Sequence, residues 1–232
     1  MASIMNQIES IHISTKDLTV DDLPDVVRVH AAAFPDTVLS EFGDAVLTSY
    51  YRWHLAHPLL VVARGAWIGP ELVGYSVVMR DHSFADFVRA HKWLFIWSDL
   101  KRVIRLRPSL LYKRFIRNRG QIVDAYLLWY FKTSQMFGNR VKRKSSERIC
   151  WLHVLATDPS RFGCGVGSAL LKFSEERVAS LGFSRLMLGV QADNSRALSL
   201  YEHRGWKRCG SRESTLILCK PINSDRADER EL

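Results

Sequence analysis

Cysteine is scarce in this chain, with four residues, at positions 150, 164, 209 and 219, among 232. No two stand in a Cys-x-x-Cys pair, which removes the usual zinc and dithiol patterns and leaves them reading as reduced thiols, with no metal expected. Long apolar runs are missing as well. The longest, Ala125 to Phe131, is far too short to cross a bilayer. The first residues carry no basic region followed by an apolar core, so a signal peptide is not expected and a cytoplasmic location is, with attachment at a membrane surface as the variant. No internal repeat or low-complexity segment is present. A hydrophobic share of 47% is ordinary for a folded protein. The length suits one domain with a large core, expected over residues 1–223, followed by a charged, disordered tail at 224–232.

Residues 149–206 carry the densest signal. Ile149-Cys-Trp-Leu-His-Val-Leu-Ala is short, apolar and rich in branched residues, as in a buried strand. From Val166 to Leu181, Val166, Leu170, Leu171, Phe173, Val178 and Leu181 share a helical face, and Gly182 follows as a left-handed cap. Between strand and helix lie Gly163, Gly165 and Gly167. Such a turn brings unobstructed N–H groups to the positive end of a helix, a geometry suited to a diphosphate. It is not a Walker loop, since no Gly-Lys-Ser/Thr follows. As a dinucleotide fingerprint it places Asp193 28 residues beyond Gly165, where an acid is wanted about 20 on. A tight turn with no ligand is the plain alternative. Cys164 sits at this helix start, where a thiolate is favoured, and reads as a small residue that fits, with a redox-sensitive thiol as the lesser alternative.

Downstream, Arg185-Leu-Met-Leu-Gly-Val190 is a second buried strand, and Asn194-Ser-Arg-Ala-Leu-Ser-Leu-Tyr201 opens a short helix with Gly205-Trp206 beyond it. The glycine turn, Asn-x-x-Ala-x-x-x-Tyr and Gly-aromatic, in this order and spacing, resemble the GNAT superfamily of acetyl-CoA-dependent N-acetyltransferases. The resemblance implies an α/β fold with a mixed, mostly antiparallel sheet flanked by helices, and acetyl-CoA as co-substrate. It implies that the main chain of Leu155, Ala156 and Thr157 pairs with pantetheine. It further implies that the amides of Phe162, Gly163, Cys164, Gly165, Val166, Gly167 and Ser168 hold the pyrophosphate and that Asn194 binds the cofactor further along its arm. Tyr201 falls where the family often places a general acid beside the thioester sulfur, and a phenol with a pKa of ~10 stays protonated at neutral pH. One departure stands out: where the family has Gln or Arg, three residues before the first conserved glycine, this chain has Phe162, with Arg161 one residue early.

A base must also take a proton from the attacking amine. Many relatives use a carboxylate on the central strand, but Ile149–Thr157 contains none. It contains His153, and simple alternation puts Trp151, His153 and Leu155 on one face. The segment is similar to the central strand of serotonin N-acetyltransferase, where a histidine helps carry the proton away. A hydrogen-bonded core histidine is the alternative.

The earlier chain reads as a strand over Ile8–Ser14, then a helix opened by Thr19 with Val26, Val27, His30 and Ala31 inward. A break at Ala33–Thr37 leads to a second helix over Ser40–His57 and a hairpin from Leu59 to Arg80 turning at Ile68–Glu71. That order matches the resembled fold, in which the loop Phe34–Ser40 borders the acceptor. His30, His54 and His57 read as packing or surface residues.

Residues 81–144 depart from the family. They hold fifteen Lys and Arg against four Asp, a net +11 in a chain of net +9, so the remaining residues sum to −2. They also hold twelve of the 25 aromatics. Helices are expected from Pro108 to Arg117 and from Gln121 to Gln135, the latter also readable as a strand. The insertion reads as a solvated flap, as a cap supplying cations to an anionic acceptor such as a nucleotide-linked amino sugar, or as a membrane-surface patch around Trp93–Trp97. Nucleic acid ranks last, because no binding motif accompanies the charge. The expected function is acetyl transfer from acetyl-CoA to a primary amine by direct attack in a ternary complex. The expected partner is a small anionic amine, with a second copy of the chain as a further option. A non-catalytic acetyl-CoA-, nucleic-acid- or membrane-binding module is the alternative, and the strand order before the glycine turn speaks against a Rossmann oxidoreductase.

Overall fold

The structure, a computed structural model, describes residues 12–80, 87, 90, 91, 148–212 and 214–222. Its strands are β1 (Ile13–Asp17), β2 (Leu60–Ile68), β3 (Glu71–Met79), β4 (Ile149–Thr157), β5 (Arg185–Gln191), β6 (Lys207–Arg212) and β7 (Thr215–Pro221). They form one sheet in the order β1-β2-β3-β4-β5-β7-β6. Every neighbouring pair is antiparallel except β4 and β5, which the helix between them, α4 (Val166–Ser180), joins as a crossover. The helices before β2 are α1 (Leu23–Ala33), α2 (Val38–Phe42) and α3 (Asp44–Leu55), and α5 (Ser195–His203) follows β5.

The sequence gives α1 its start: the N–H and hydroxyl of Thr19 both donate to Asp22 Oδ2, at 2.8 and 2.9 Å. Leu23, Val26, Val27, Val29 and His30 are buried from this helix, while Ala31 is half-buried. The single helix expected over Ser40–His57 is two. Gly43 adopts φ 85°, ψ 177° between α2 and α3, a backbone that cannot continue a helix. The first strand also differs from expectation, running from Ile13 to Asp17, and the Ile8–Ile11 part of the expected strand lies outside the described residues. So do both helices expected between 108 and 135 and the tail from 224.

Two cores result. One, with Val26, Val29, Leu47, Tyr51, Tyr75, Val77 and Ala156, lies between the sheet and α1 and α3. The other, with Cys150, Leu152, Leu171, Val178, Leu186, Leu188, Tyr201 and Trp206, lies under α4 and α5. Fully buried aliphatic side chains such as Leu170, Leu171 and Val178 on α4 contribute about 1.5–3 kcal/mol each. Gly74 on β3 sets how closely α4 approaches, since a Cβ there would meet Val166 Cγ1 at 2.7 Å and the Ala156 carbonyl at 2.8 Å. The start of α4 therefore rests directly on the sheet beside the end of β4.

Candidate active site

β4 and β5 part company where the site begins. Their ladder pairs Ile149–Trp151 with Arg185–Met187, whereas the other edge of β4 stays paired with β3 as far as Thr157. Among the described residues, Leu155, Ala156 and Thr157 have no strand partner on the β5 side. Their main chain is open to an extended ligand, which can add to the strand through backbone hydrogen bonds.

The register of β4 carries a second irregularity. Val77 pairs with Val154 and Val78 with Leu152, so His153 is the extra residue of a β-bulge. The expectation that Trp151, His153 and Leu155 share a face is therefore wrong. Cys150 and Leu152 before the bulge, and Leu155 after it, pack with the α4 cluster, while Val154 and Ala156 pack with α1 and α3. Trp151 pairs with Met79, which belongs to the α1 and α3 cluster. The inserted residue shifts the alternation by one, leaving Trp151 and Leu155 on opposite faces. His153 lies on the α3 side, its ring centroid 6.4 Å from that of His54.

The glycine turn forms as expected. Gly163 and Gly165 take φ 83° and 85°, and a Cβ at either would meet nothing within 4 Å, so the backbone angle and not space demands glycine there. A side chain at Gly165 would carry roughly 1–2 kcal/mol of left-handed strain. Gly165 is the N-cap of α4. The Ala169 N–H is bonded to the Gly165 carbonyl, so the amides of Val166, Gly167 and Ser168 are the donors that a first turn leaves unused. Phe162 stands 45% exposed at the mouth of the turn. Cys164 packs against the small cluster of Ala66, Val73, Val166 and Leu170, which fits the reading of a small packing residue.

Four charged residues brace this turn, and of them sequence reasoning singled out Arg161 alone. Arg28 on α1 reaches Asp158 at 3.2 Å, Glu71 at 3.7 Å and the Leu72 carbonyl at 2.7 Å. Arg161 reaches Glu71 at 3.1 Å. Asp158 accepts from the Ser160 hydroxyl and N–H, and these bonds, with Arg28, hold its carboxyl below the ordinary value against the opposing effect of burial. Pairs 43 to 130 residues apart leave no local signature. The one local hint was Asp158-Pro-Ser160, a capping pattern.

On α5, Asn194 caps the helix, its Oδ1 accepting from the Ala197 N–H at 3.1 Å. That leaves the side-chain NH₂ as a donor for a ligand. Tyr201 is 7% exposed and packs at a tilt on Trp206, with ring centroids 5.7 Å apart. Burial raises its phenol to about 12. Among the described residues nothing bonds its hydroxyl.

The face of the sheet opposite α4 is lined by aromatic and imidazole rings. His30 Nδ1 lies 2.6 Å from the Tyr51 hydroxyl and 3.0 Å from that of Tyr75, and the two phenols are 2.6 Å apart. His54 Nδ1 lies 2.8 Å from the Tyr50 carbonyl. His30 and His54 are the packing histidines expected of them. The loop that follows α1 is pinned by the hydroxyls of Thr37 and Ser40, which donate to the Phe34 carbonyl at 3.0 and 2.6 Å. Within the long insertion Phe87 is buried, its ring 5.0 Å from Tyr50 and 5.6 Å from Trp53, and His91 packs on Phe87 at 4.6 Å between centroids.

Burial holds His30 and His54 down to about 4, and burial with the neighbouring His54 holds His153 down to about 3. All three are neutral at pH 7. Because the folded values lie below the ordinary 6.5, the unfolded chain takes up protons first as the pH falls. Stability is therefore full above about pH 6.5 and declines as the pH drops from there toward 4. A series of melting temperatures should fall steadily below pH 6.5, and a flat series down to pH 4.5 would contradict the buried, neutral assignment.

No group of three or more His, Cys, Asp or Glu among the described residues is placed to hold a metal, and no helix among them is long and apolar enough to cross a membrane. The sequence model of the acetyltransferase (GNAT) family matches residues 23–206. Two curated relatives are mycothiol acetyltransferases. That of Kocuria rhizophila is 39% identical over 57 residues, 25% of this chain and 19% of the relative. That of Geodermatophilus obscurus is 36% identical over 62 residues, 27% of this chain and 20% of the relative. The chain thus spans about a fifth of the length of the curated relatives it matches. Among solved structures, the PaiA N-acetyltransferase of Thermoplasma acidophilum in complex with coenzyme A superposes with a TM-score of 0.55 at 13% identity, covering 90% of this chain and 99% of that one.

Proposed function

The chain belongs to the acetyltransferase (GNAT) family, and from that premise we propose that it transfers an acetyl group from acetyl-CoA to a primary amine of a small molecule by direct attack in a ternary complex. The observation that carries this reading is the split between β4 and β5, which frees the main chain of Leu155–Thr157 beside the amide-lined start of α4. Pantetheine would pair with Leu155, Ala156 and Thr157. The amides of Gly163, Gly165, Val166, Gly167 and Ser168 would face the pyrophosphate, with the Asn194 NH₂ further along the arm, whereas those of Phe162 and Cys164 are already bonded to the Pro159 and Arg161 carbonyls at 3.3 and 3.4 Å.

The amine nitrogen then forms a bond to the thioester carbonyl carbon while the carbon–sulfur bond breaks. Tyr201 donates its phenolic proton to the departing thiolate, and His153 receives a proton from the amine. His153 is neutral across the working range, so it is in the accepting form, and because burial holds it well below neutral it acts as a weak base. Replacing His153 tests this role. His153→Ala and His153→Gln should both lower kcat by about tenfold to a hundredfold, because glutamine fills space and hydrogen-bonds but cannot take a proton. Full activity in the glutamine variant would return His153 to a packing role.

The acceptor is proposed to be a small anionic amine, such as an amino sugar nucleotide. Support comes from the net +11 of residues 81–144, from which Phe87 packs against α3 aromatic side chains on the face that holds His153, while the relatives named mycothiol acetyltransferases support a small-molecule acceptor without bearing on its charge. The same stretch would suit contact with an anionic membrane surface. Incubating the protein with acetyl-CoA and a panel of amino sugars, amino sugar nucleotides and simple amines, with released thiol as the readout, tests the assignment. Turnover confined to the phosphorylated amines supports it, and turnover confined to uncharged or cationic amines would overturn the anionic acceptor.

A further inference from the structure

A diphosphate lodged in a ring of amides still carries two negative charges, and a nearby cation strengthens its hold. The two arginines that brace the turn are engaged with carboxylates, Arg161 with Glu71 at 3.1 Å and Arg28 with Asp158 at 3.2 Å. Arg196 is different. It is exposed, no carboxylate among the described residues pairs with it, and its guanidinium carbon lies 4.1 Å from the centroid of the Phe162 ring. Phe162 is itself unusual, since it and Val20 are the large hydrophobic residues left exposed among those described. An exposed ring at the lip of a turn forgoes the stability that burial would bring. As a platform for a guanidinium it has a use, because a cation over an aromatic face is held in place while its N–H groups stay free at the edge.

The surrounding packing puts this pair at the turn. A Cβ on Gly167, in the first turn of α4, would lie 3.3 Å from Leu200 of α5. Arg196 is four residues before Leu200 and so shares its helical face. The second turn of α5 therefore rests against the first turn of α4, and Arg196, one turn earlier on the same face, lies over Phe162 in the loop that leads into α4.

We propose that Phe162 and Arg196 form a stacked pair that supplies the cation for the diphosphate of acetyl-CoA. This rests on the acetyl-CoA reading above and adds the side chains that would complete that site. Arg196 thereby serves a turn whose own Arg161 is turned toward Glu71. The pair also accounts for a phenylalanine at a solvent-exposed lip, where a polar residue would otherwise be expected.

The test is calorimetric titration of the intact protein with acetyl-CoA and with its 3′-dephospho form, comparing wild type, Arg196→Gln and Phe162→Leu. Both residues are exposed, so their unfolding temperatures should match wild type. Arg196→Gln should weaken both ligands by about tenfold, ~1.4 kcal/mol, and Phe162→Leu should weaken both by a smaller factor through loss of the platform. The salt dependence of binding should also flatten in Arg196→Gln. Unchanged affinity in Arg196→Gln overturns the proposal. A loss seen with acetyl-CoA but not with the 3′-dephospho form also overturns it, because the arginine would then read the 3′-phosphate. Wild-type protein that binds neither ligand removes the acetyl-CoA reading itself and this inference with it, an outcome distinct from a missing arginine effect.

Discussion

Tyr201→Phe should lower kcat by about a hundredfold, ~2.7 kcal/mol of transition-state stabilisation, while the affinity for acetyl-CoA changes little. The substitution removes one oxygen from a ring whose buried packing against Trp206 and the α4 cluster is otherwise kept. Since no described residue bonds the hydroxyl, its loss strands no partner, and the unfolding temperature should stay close to wild type. The phenol remains protonated up to about 12. The defect should therefore be the same at every pH between 6 and 10, because the acid is fully loaded throughout. A loss that vanished at one end of that range would point to a different group, and full kcat in the phenylalanine variant would remove Tyr201 from the chemistry.

The second large effect concerns stability. Glu175 on α4 is 8% exposed and accepts from Arg204 at 2.9 Å, from the Trp206 indole at 2.9 Å and from Lys220 at 2.8 Å. Lys220 also donates to the Arg204 carbonyl at 2.8 Å. One carboxylate thus ties α4 to the end of α5 and to β7. Glu175→Ala removes the shared acceptor and leaves two partly buried cations and an indole N–H facing each other, at a cost of about 3 kcal/mol. Because α5 carries Asn194 and Tyr201, the same variant should also lose turnover at temperatures where it remains folded. Denaturant titration reads the first effect, and a midpoint indistinguishable from wild type would show that the cluster is neutral to stability. Lys220→Met, which leaves Arg204 and Trp206 to satisfy the carboxylate, should cost less.

What could be read from the residues, and what could not, divides by the range of the interaction involved. The turn from Gly163 to Gly167 was legible because its requirement is local: positive φ at Gly163 and Gly165 demands glycine whatever surrounds it. Asn194 and Tyr201 were legible through their spacing on a helix whose cap and end are both written in sequence. The bulge at His153 was not, because an extra residue in one strand is defined by the register of its neighbour, and alternation along β4 alone predicts the wrong partner for Leu155. Gly43 shows the converse, a single residue inside an apolar helical pattern whose φ of 85° outweighs the pattern around it. The bracing by Arg28, Glu71, Asp158 and Arg161 depends on side chains brought together by the sheet, and nothing in their immediate surroundings marks them. Gly74 was the one long-range feature with a visible hint, a lone glycine in a strand of branched residues, the usual mark of a close backbone approach.

The opening between β4 and β5, with the start of α4 at its end, is proposed as the acetyl-CoA site. Titration of the intact protein with acetyl-CoA in parallel with NAD tests it most directly, since both carry a diphosphate but only one carries a pantetheine arm to pair with Leu155–Thr157. One acetyl-CoA should bind per chain with micromolar affinity, and NAD should show no saturable binding. Equal binding of the two would mean that the turn holds a diphosphate without the strand addition. Absence of acetyl-CoA binding would contradict the account at its foundation.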